Sequence, residues 1–191
     1  MGKVKVANGI IGYPMPMTVV GAEVEGKANF MAVAWVSRVN FNPPLIAVAL
    51  GKSHFTNKGI HQNREFSISV PSEDMLTIVD YIGMISGEET DKSGLFNIFR
   101  GGLAHAPMIS ECPFAMECRL LDVVDLPTNE LFIGEIIGAY CDEKLLENGK
   151  PVREKMHPYM LTMPDNGYWS LGNPIGHAWK DGKKHMALHQ K

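Results

Sequence analysis

The hydroxyls of Ser53 and Thr56 stand where an apolar run ends in Gly51 and a polar stretch, His54-Phe55-Thr56-Asn57, begins. Gly51 permits a tight bend. Ser53 can then cap a helix whose first amides lie at His54 to Thr56. Unpaired N–H groups and the positive end of the helix dipole make such a terminus an anion socket. Immediately upstream, residues 30–41 alternate with a period of two. Met31, Val33, Trp35 and Ser37 share one face, and Ala32, Ala34, Val36 and Arg38 the other. Small side chains on one face leave a strand's amides and carbonyls open to a flat ligand. The chemistry on offer is a socket for a phosphate beside a slot for a planar ring.

These residues need a framework. Pro43 and Pro44 cannot continue a ladder, so the chain turns there, and residues 45–50, apolar throughout, return as a central strand. Residues 15–24 read as a first strand, and the turn Glu25-Gly26-Lys27-Ala28 leads into its hairpin partner. A short helix is predicted over 54–64 despite Gly59. Residues 65–70 alternate as a fourth strand. Ser72 then caps a helix whose apolar face is Met75, Leu76, Val79 and Ile82. Residues 83–94 form a polar loop carrying Asp91 and Lys92. Residues 114–124 and 131–140 are two further strands, and from His157 onward the chain is aromatic and irregular. Six short strands with few helices predict a mainly β fold of the α+β class, an antiparallel barrel with accessory helices. No repeat or linker divides the chain. Residues 1–191 read as one domain, with its core over about 14–145 and a C-terminal extension over 146–191.

Composition narrows the function. The chain is 45% hydrophobic and 20% charged, ordinary values for a soluble globular protein. A net charge of −3 and the lack of a basic stripe give no reason to expect nucleic acid. No apolar run is long enough to span a bilayer, so no membrane is expected. The N-terminal MGKVKVANGIIGYP lacks the long apolar stretch of a secretory signal, and the cysteines, Cys112, Cys118 and Cys141, are odd in number. Both observations predict a reducing, cytoplasmic location. Phosphate-binding glycine loops, the H-E-x-x-H metal motif and the G-x-S-x-G nucleophile elbow are absent. His105, Cys112 and Cys118 do not have zinc-pair spacing, and no metal is expected.

The ordered combination GKANFMAVAWVSRVNFNPPLIAVAL, SHFTNKGIHQNREFSISVPS, SGEETDKSG and APMISECPFAMECRLLDVVD resembles the flavin reductase-like family of FMN-binding split barrels, and within it the flavoredoxin branch. The likeness runs from about Met17 to Ala139, and DNGYWSLGNPIG adds to it. The resemblance implies a six-stranded antiparallel Greek-key split barrel, a homodimer, and FMN bound near the subunit interface. It places flavin contacts on Asn29, Trp35, Thr56 and Lys92, with Ser37, Ser53 and Asp91 beside them and the backbones of Ala34 and Val36 against the ring. Lys92 would neutralise phosphate charge as a point cation. Tyr168 and Trp169 would cover the flavin or pack the dimer interface.

Two function classes follow from the resemblance. One is an oxidoreductase of the NAD(P)H:flavin reductase type, with NAD(P)H as a candidate electron donor. The other is a non-enzymatic FMN electron carrier for a partner redox protein, with a ferric-chelate reductase between them. Reductases of two-component monooxygenases in this family carry a Gly-Asp-His motif near the C-terminus that engages NADH. Gly176-His177 and Lys180-Asp181-Gly182 do not match it, which favours the carrier.

Overall fold

The computed structural model describes residues 2–9 and 12–188. Its frame is a seven-stranded antiparallel sheet. The strands are β1 (Thr18–Val24), β2 (Lys27–Val33), β3 (Val36–Asn40), β4 (Leu45–Gly51), β5 (Glu65–Val70), β6 (Phe114–Asp125) and β7 (Asn129–Cys141). They lie in the order β2-β1-β5-β6-β7-β4-β3. The two ends of that order are consecutive in the chain, separated by Ala34 and Trp35 alone. The sheet therefore curls until its last strand meets its first, and the result is a barrel. Counting β2 and β3 as one strand that changes partner recovers the six strands predicted.

The break at Ala34-Trp35 corrects the reading of residues 30–41 as one alternating strand. Val33 still pairs with Thr18 on β1, whereas Val36 pairs with Val48 on β4. Between them the Val36 amide donates to the Ala34 carbonyl at 3.0 Å, and the Ala49 amide donates to the Trp35 carbonyl at 3.0 Å. This tight turn shifts the alternation by one residue. Met31 and Val33 pack on the barrel interior, and so does Val36, while Ala32 and Ala34 face the second core outside.

Both faces of β1 are buried, which is why it carries no charged residue before Glu23. Val20 and Ala22 join Phe66, Ile68, Leu120 and Phe132 inside the barrel. Met17 and Val19 join Phe30, Val79 and Ile82 beneath an outer layer. That layer includes α2 (Leu76–Met84), preceded by a 3-10 turn over Glu73–Met75. Helix α1 (Thr56–Asn63) connects β4 to β5 and lies on β1. The approach is close enough that a Cβ on Gly59 would stand 2.3 Å from the Glu23 carbonyl oxygen. The aromatic C-terminal stretch is more regular than predicted. Tyr159–Thr162 and Gly167–Ser170 form a hairpin, β8 and β9, and β8 pairs with Met15–Pro16. No helix among the described residues is long and apolar enough to cross a membrane.

Candidate functional site

Strand β2 ends at two concavities, and the expected site residues divide between them. At the N-terminal end, Asn29 is buried and its Nδ2 donates to Thr56 Oγ1 at 2.8 Å. Lys92 lies in the same place and is only 4% exposed. Its ammonium donates to the carbonyls of Phe30 (3.1 Å) and Ile82 (2.8 Å). An ammonium carries three donors, and among the described residues no carboxylate pairs with this one. Burial without a counter-charge pushes the Lys92 pKa below its ordinary 10.5. The same charge is felt at His54, whose pKa is lowered first by partial desolvation of its ring and then by Lys92. Asn29 and Lys92 line a cavity of about 240 Å³ together with Phe55, Lys27 and residues 87–91.

Asp91 stands at the rim of that cavity. Lys27 Nζ lies 2.7 Å from its Oδ2, and the Ser93 amide donates to its Oδ1 at 2.9 Å. The Lys27 ammonium first, and Ser93 second, hold the Asp91 carboxyl well below the usual carboxylate range. So Asp91 holds Lys27 and its own loop.

At the other end of β2, Ala34, Trp35, Val36 and Ser37 line an open, mainly apolar cleft of about 530 Å³. Its remaining walls include Tyr13, Met15, Ala47 and Ala49. Trp35 is 45% exposed, so it is no core residue, although an isolated tryptophan on a strand reads as one. Ser37 is exposed and donates only to its neighbour Arg38's carbonyl, at 3.4 Å.

Ser53 departs from expectation. Helix α1 begins at Thr56, and the residue at its N-cap is Phe55, in a helical conformation and without a side-chain cap. The chain spends Gly51 to His54 on a turn closed by the His54 amide and the Gly51 carbonyl at 3.1 Å. One of the amides counted on for an anion, that of His54, is thereby used by the turn itself. Ser53 is exposed and lines neither cavity. Asn57 does the anchoring instead, its Nδ2 donating to the Gly51 carbonyl (3.1 Å) and to Glu130 Oε2 (2.9 Å).

The cavity residues that sequence reasoning missed include Lys27, Phe55 and Gly87. A Cβ on Gly87 would stand 2.0 Å from Asn29 Oδ1, so the loop backbone lies directly on the amide of Asn29. Among the cleft residues it missed, Ala47 and Ala49 were visible as small residues two apart on the third strand. Tyr168 and Trp169 belong to the C-terminal hairpin. Tyr168 donates to Asp80 Oδ1 at 2.7 Å, and Trp169 Nε1 donates to Thr162 Oγ1 at 2.8 Å. Among the described residues no group of three or more His, Cys, Asp and Glu could hold a metal ion.

The whole frame has counterparts. The family model for the flavin reductase like domain matches residues 10–168. The crystal structure of flavoredoxin from Methanosarcina acetivorans is 51% identical, with a TM-score of 0.95, over 97% of this chain and 100% of that one. Flavoredoxin of Desulfovibrio vulgaris (Miyazaki F) is 32% identical, with a TM-score of 0.88, over 95% of this chain and 100% of that one. An FMN-binding protein from Thermus thermophilus is 25% identical, with a TM-score of 0.78, over 93% of this chain and 97% of that one. With the split barrel closed through Ala34-Trp35 and the match spanning residues 10–168, this chain belongs to the flavin reductase-like family and stands with its flavoredoxin branch.

Proposed function

We propose that this chain is an FMN-binding flavoprotein of the flavoredoxin type, working as a single domain that transfers electrons or hydride at bound FMN. The observation that carries the reading is the buried, carboxylate-free ammonium of Lys92 beside Asn29 and Thr56. A buried cation without a counter-charge is costly, and a phosphate supplies the missing charge and acceptors. From Asn29 on β2 to Ala34 just past its end is five residues, about 17 Å at about 3.3 Å per residue. A phosphate, a ribityl chain and a tricyclic ring are together of that order. The ring would be held in the cleft of Ala34, Val36, Ala47 and Ala49, with Trp35 as a wall and the Ala34 and Val36 backbones available to its polar edge. The flavoredoxins and the FMN-binding protein it matches support the choice of FMN.

FMN, when bound, supplies a reversible store of electrons, and the protein's part is position, electrostatics and exclusion of water. Lys92 offsets phosphate charge. The Asn29–Thr56 pair fixes the strand edge next to it. The apolar cleft keeps water from the ring. The chain lacks the Gly-Asp-His motif, which favours a redox partner protein over NAD(P)H as the electron source.

A cytoplasmic homodimer is part of the same proposal. The three cysteines are free. Strand β3 is a sheet edge with Val39 exposed, and Phe41 beyond it is 83% exposed. Exposed apolar side chains such as Val39 and Phe41 at a strand edge call for a partner, and a second copy is the partner we assign.

Titration of the flavin-free protein with FMN, followed by flavin fluorescence, tests the phosphate end. Wild-type protein should quench the flavin at saturation, and Lys92→Met should weaken binding by about 1–3 kcal/mol. Equal affinity in the two proteins would remove Lys92 from the site.

A further inference from the structure

The loop over residues 86–92 is built as a strap. Its turn is closed internally, with the Ser86 carbonyl accepting from the amides of Glu89 (3.2 Å) and Thr90 (2.9 Å). Two ion pairs latch it to different elements. Asp91 holds Lys27, the first residue of β2, at 2.7 Å, and Glu88 holds Lys58 on α1 at 3.0 Å. Lys58 Nζ also sits 4.8 Å from the centre of the Phe55 ring, so the second latch is seated on the residue that precedes α1. Between the latches, Gly87 lies on Asn29 and Phe55 with no room for a methyl group. The strap therefore covers Asn29 and the cavity that Lys92 lines. The lining of that cavity has an acidic excess, with Glu25, Glu88, Glu89 and Asp91 against Lys27 and Lys92.

We propose that this strap determines which flavin the site accepts: it closes the phosphate end, so a flavin that ends in a monophosphate fits and one that continues into an adenosine diphosphate is excluded. The inference rests on the placement of the phosphate at Lys92 given above. A second phosphate would have to pass the strap and bring further negative charge against Glu25, Glu88 and Glu89. Both latches are exposed ion pairs, which are individually weak and screened by salt. The strap can therefore open to admit FMN and close behind it.

The test is the ratio of FMN to FAD affinity, read by fluorescence titration of flavin-free protein. Wild-type protein should prefer FMN by at least about tenfold. The double variant Glu88→Gln/Glu89→Gln removes one latch and two carboxylates from exposed positions, and the ratio should fall by about tenfold through tighter FAD binding. In the wild type, raising sodium chloride from low to high concentration should lower the ratio in the same direction. An unchanged ratio in both experiments overturns the strap as the selector. Lys92→Met separates the two claims. If it loses FMN while the strap variant keeps the wild-type ratio, only the strap proposal fails. If it binds FMN as the wild type does, the phosphate placement fails, and the strap proposal with it.

Discussion

Lys92 is a residue whose chemistry and setting disagree. A lysine in a polar loop such as GEETDKSG reads as solvated, yet this one is buried and donates to two carbonyls. Its lowered pKa has a sign that can be tested. Below the folded pKa the buried charge costs the flavin-free protein a constant amount. Between that value and the ordinary 10.5 the unfolded chain holds the proton longer, so stability should rise with pH in that window. FMN affinity should move the other way, falling as Lys92 loses its charge. A titration series from neutral to alkaline pH checks this, and Lys92→Met should flatten the fall. At the other end of β2, Trp35→Ala should change the absorbance spectrum of bound flavin while leaving the melting temperature within a few degrees. Trp35 is only half-buried, so it fills no core cavity whose loss would cost several kcal/mol. A collapse of stability with no spectral change would make Trp35 a packing residue.

The elements show how far residue patterns carry. The strands were legible because they are continuous apolar runs, as in 45–50, or clean apolar–polar alternations, as in 65–70, bounded by Pro, Gly and polar turns. The interruption at Ala34-Trp35 was not, because both residues suit a strand locally. What breaks it is tertiary: the sheet must close, and the chain has to leave β1 for β4 at that point. The missed helix start has the same origin. Ser53 is a good cap by type, but the Gly51–His54 turn and the Asn57 bridge to Glu130 place the first helical residue at Thr56. Of the nine expected site residues, Asn29, Thr56 and Lys92 meet because order in a family motif encodes proximity across the sheet. The Gly87 contact was not legible, since a loop's path over Asn29 leaves no periodic trace. Gly59 gives an element-scale prediction of opposite sign to local propensity. Alanine is favoured over glycine inside a helix by about 1 kcal/mol. Here the added Cβ would meet the Glu23 carbonyl at 2.3 Å, so Gly59→Ala should lower stability in a denaturant melt. Stabilisation would mean that α1 can lift off β1. Thr56→Val should cost about 1–3 kcal/mol, since it leaves the buried Asn29 amide without its acceptor.

At the scale of the whole molecule, the proposed FMN would span both ends of β2 and join the two halves of the site. The outer core and α2 support the Lys92 end through the Ile82 carbonyl. The barrel closure supports the Trp35 end. The exposed edge beyond it is the surface assigned to a second copy. Phe41→Asp should shift the protein from dimer to monomer in sedimentation at micromolar concentration, with the melting curve of the fold retained. A wild-type monomer at that concentration would contradict the homodimer. The central claim is that the chain carries FMN for redox work, and the absorbance spectrum of purified, dialysed protein during anaerobic reduction tests it most directly. Flavin bands should persist through dialysis, or return on addition of FMN, and should bleach with a reduced protein donor more readily than with NADH or NADPH. A colourless protein that takes up no added FMN would contradict it.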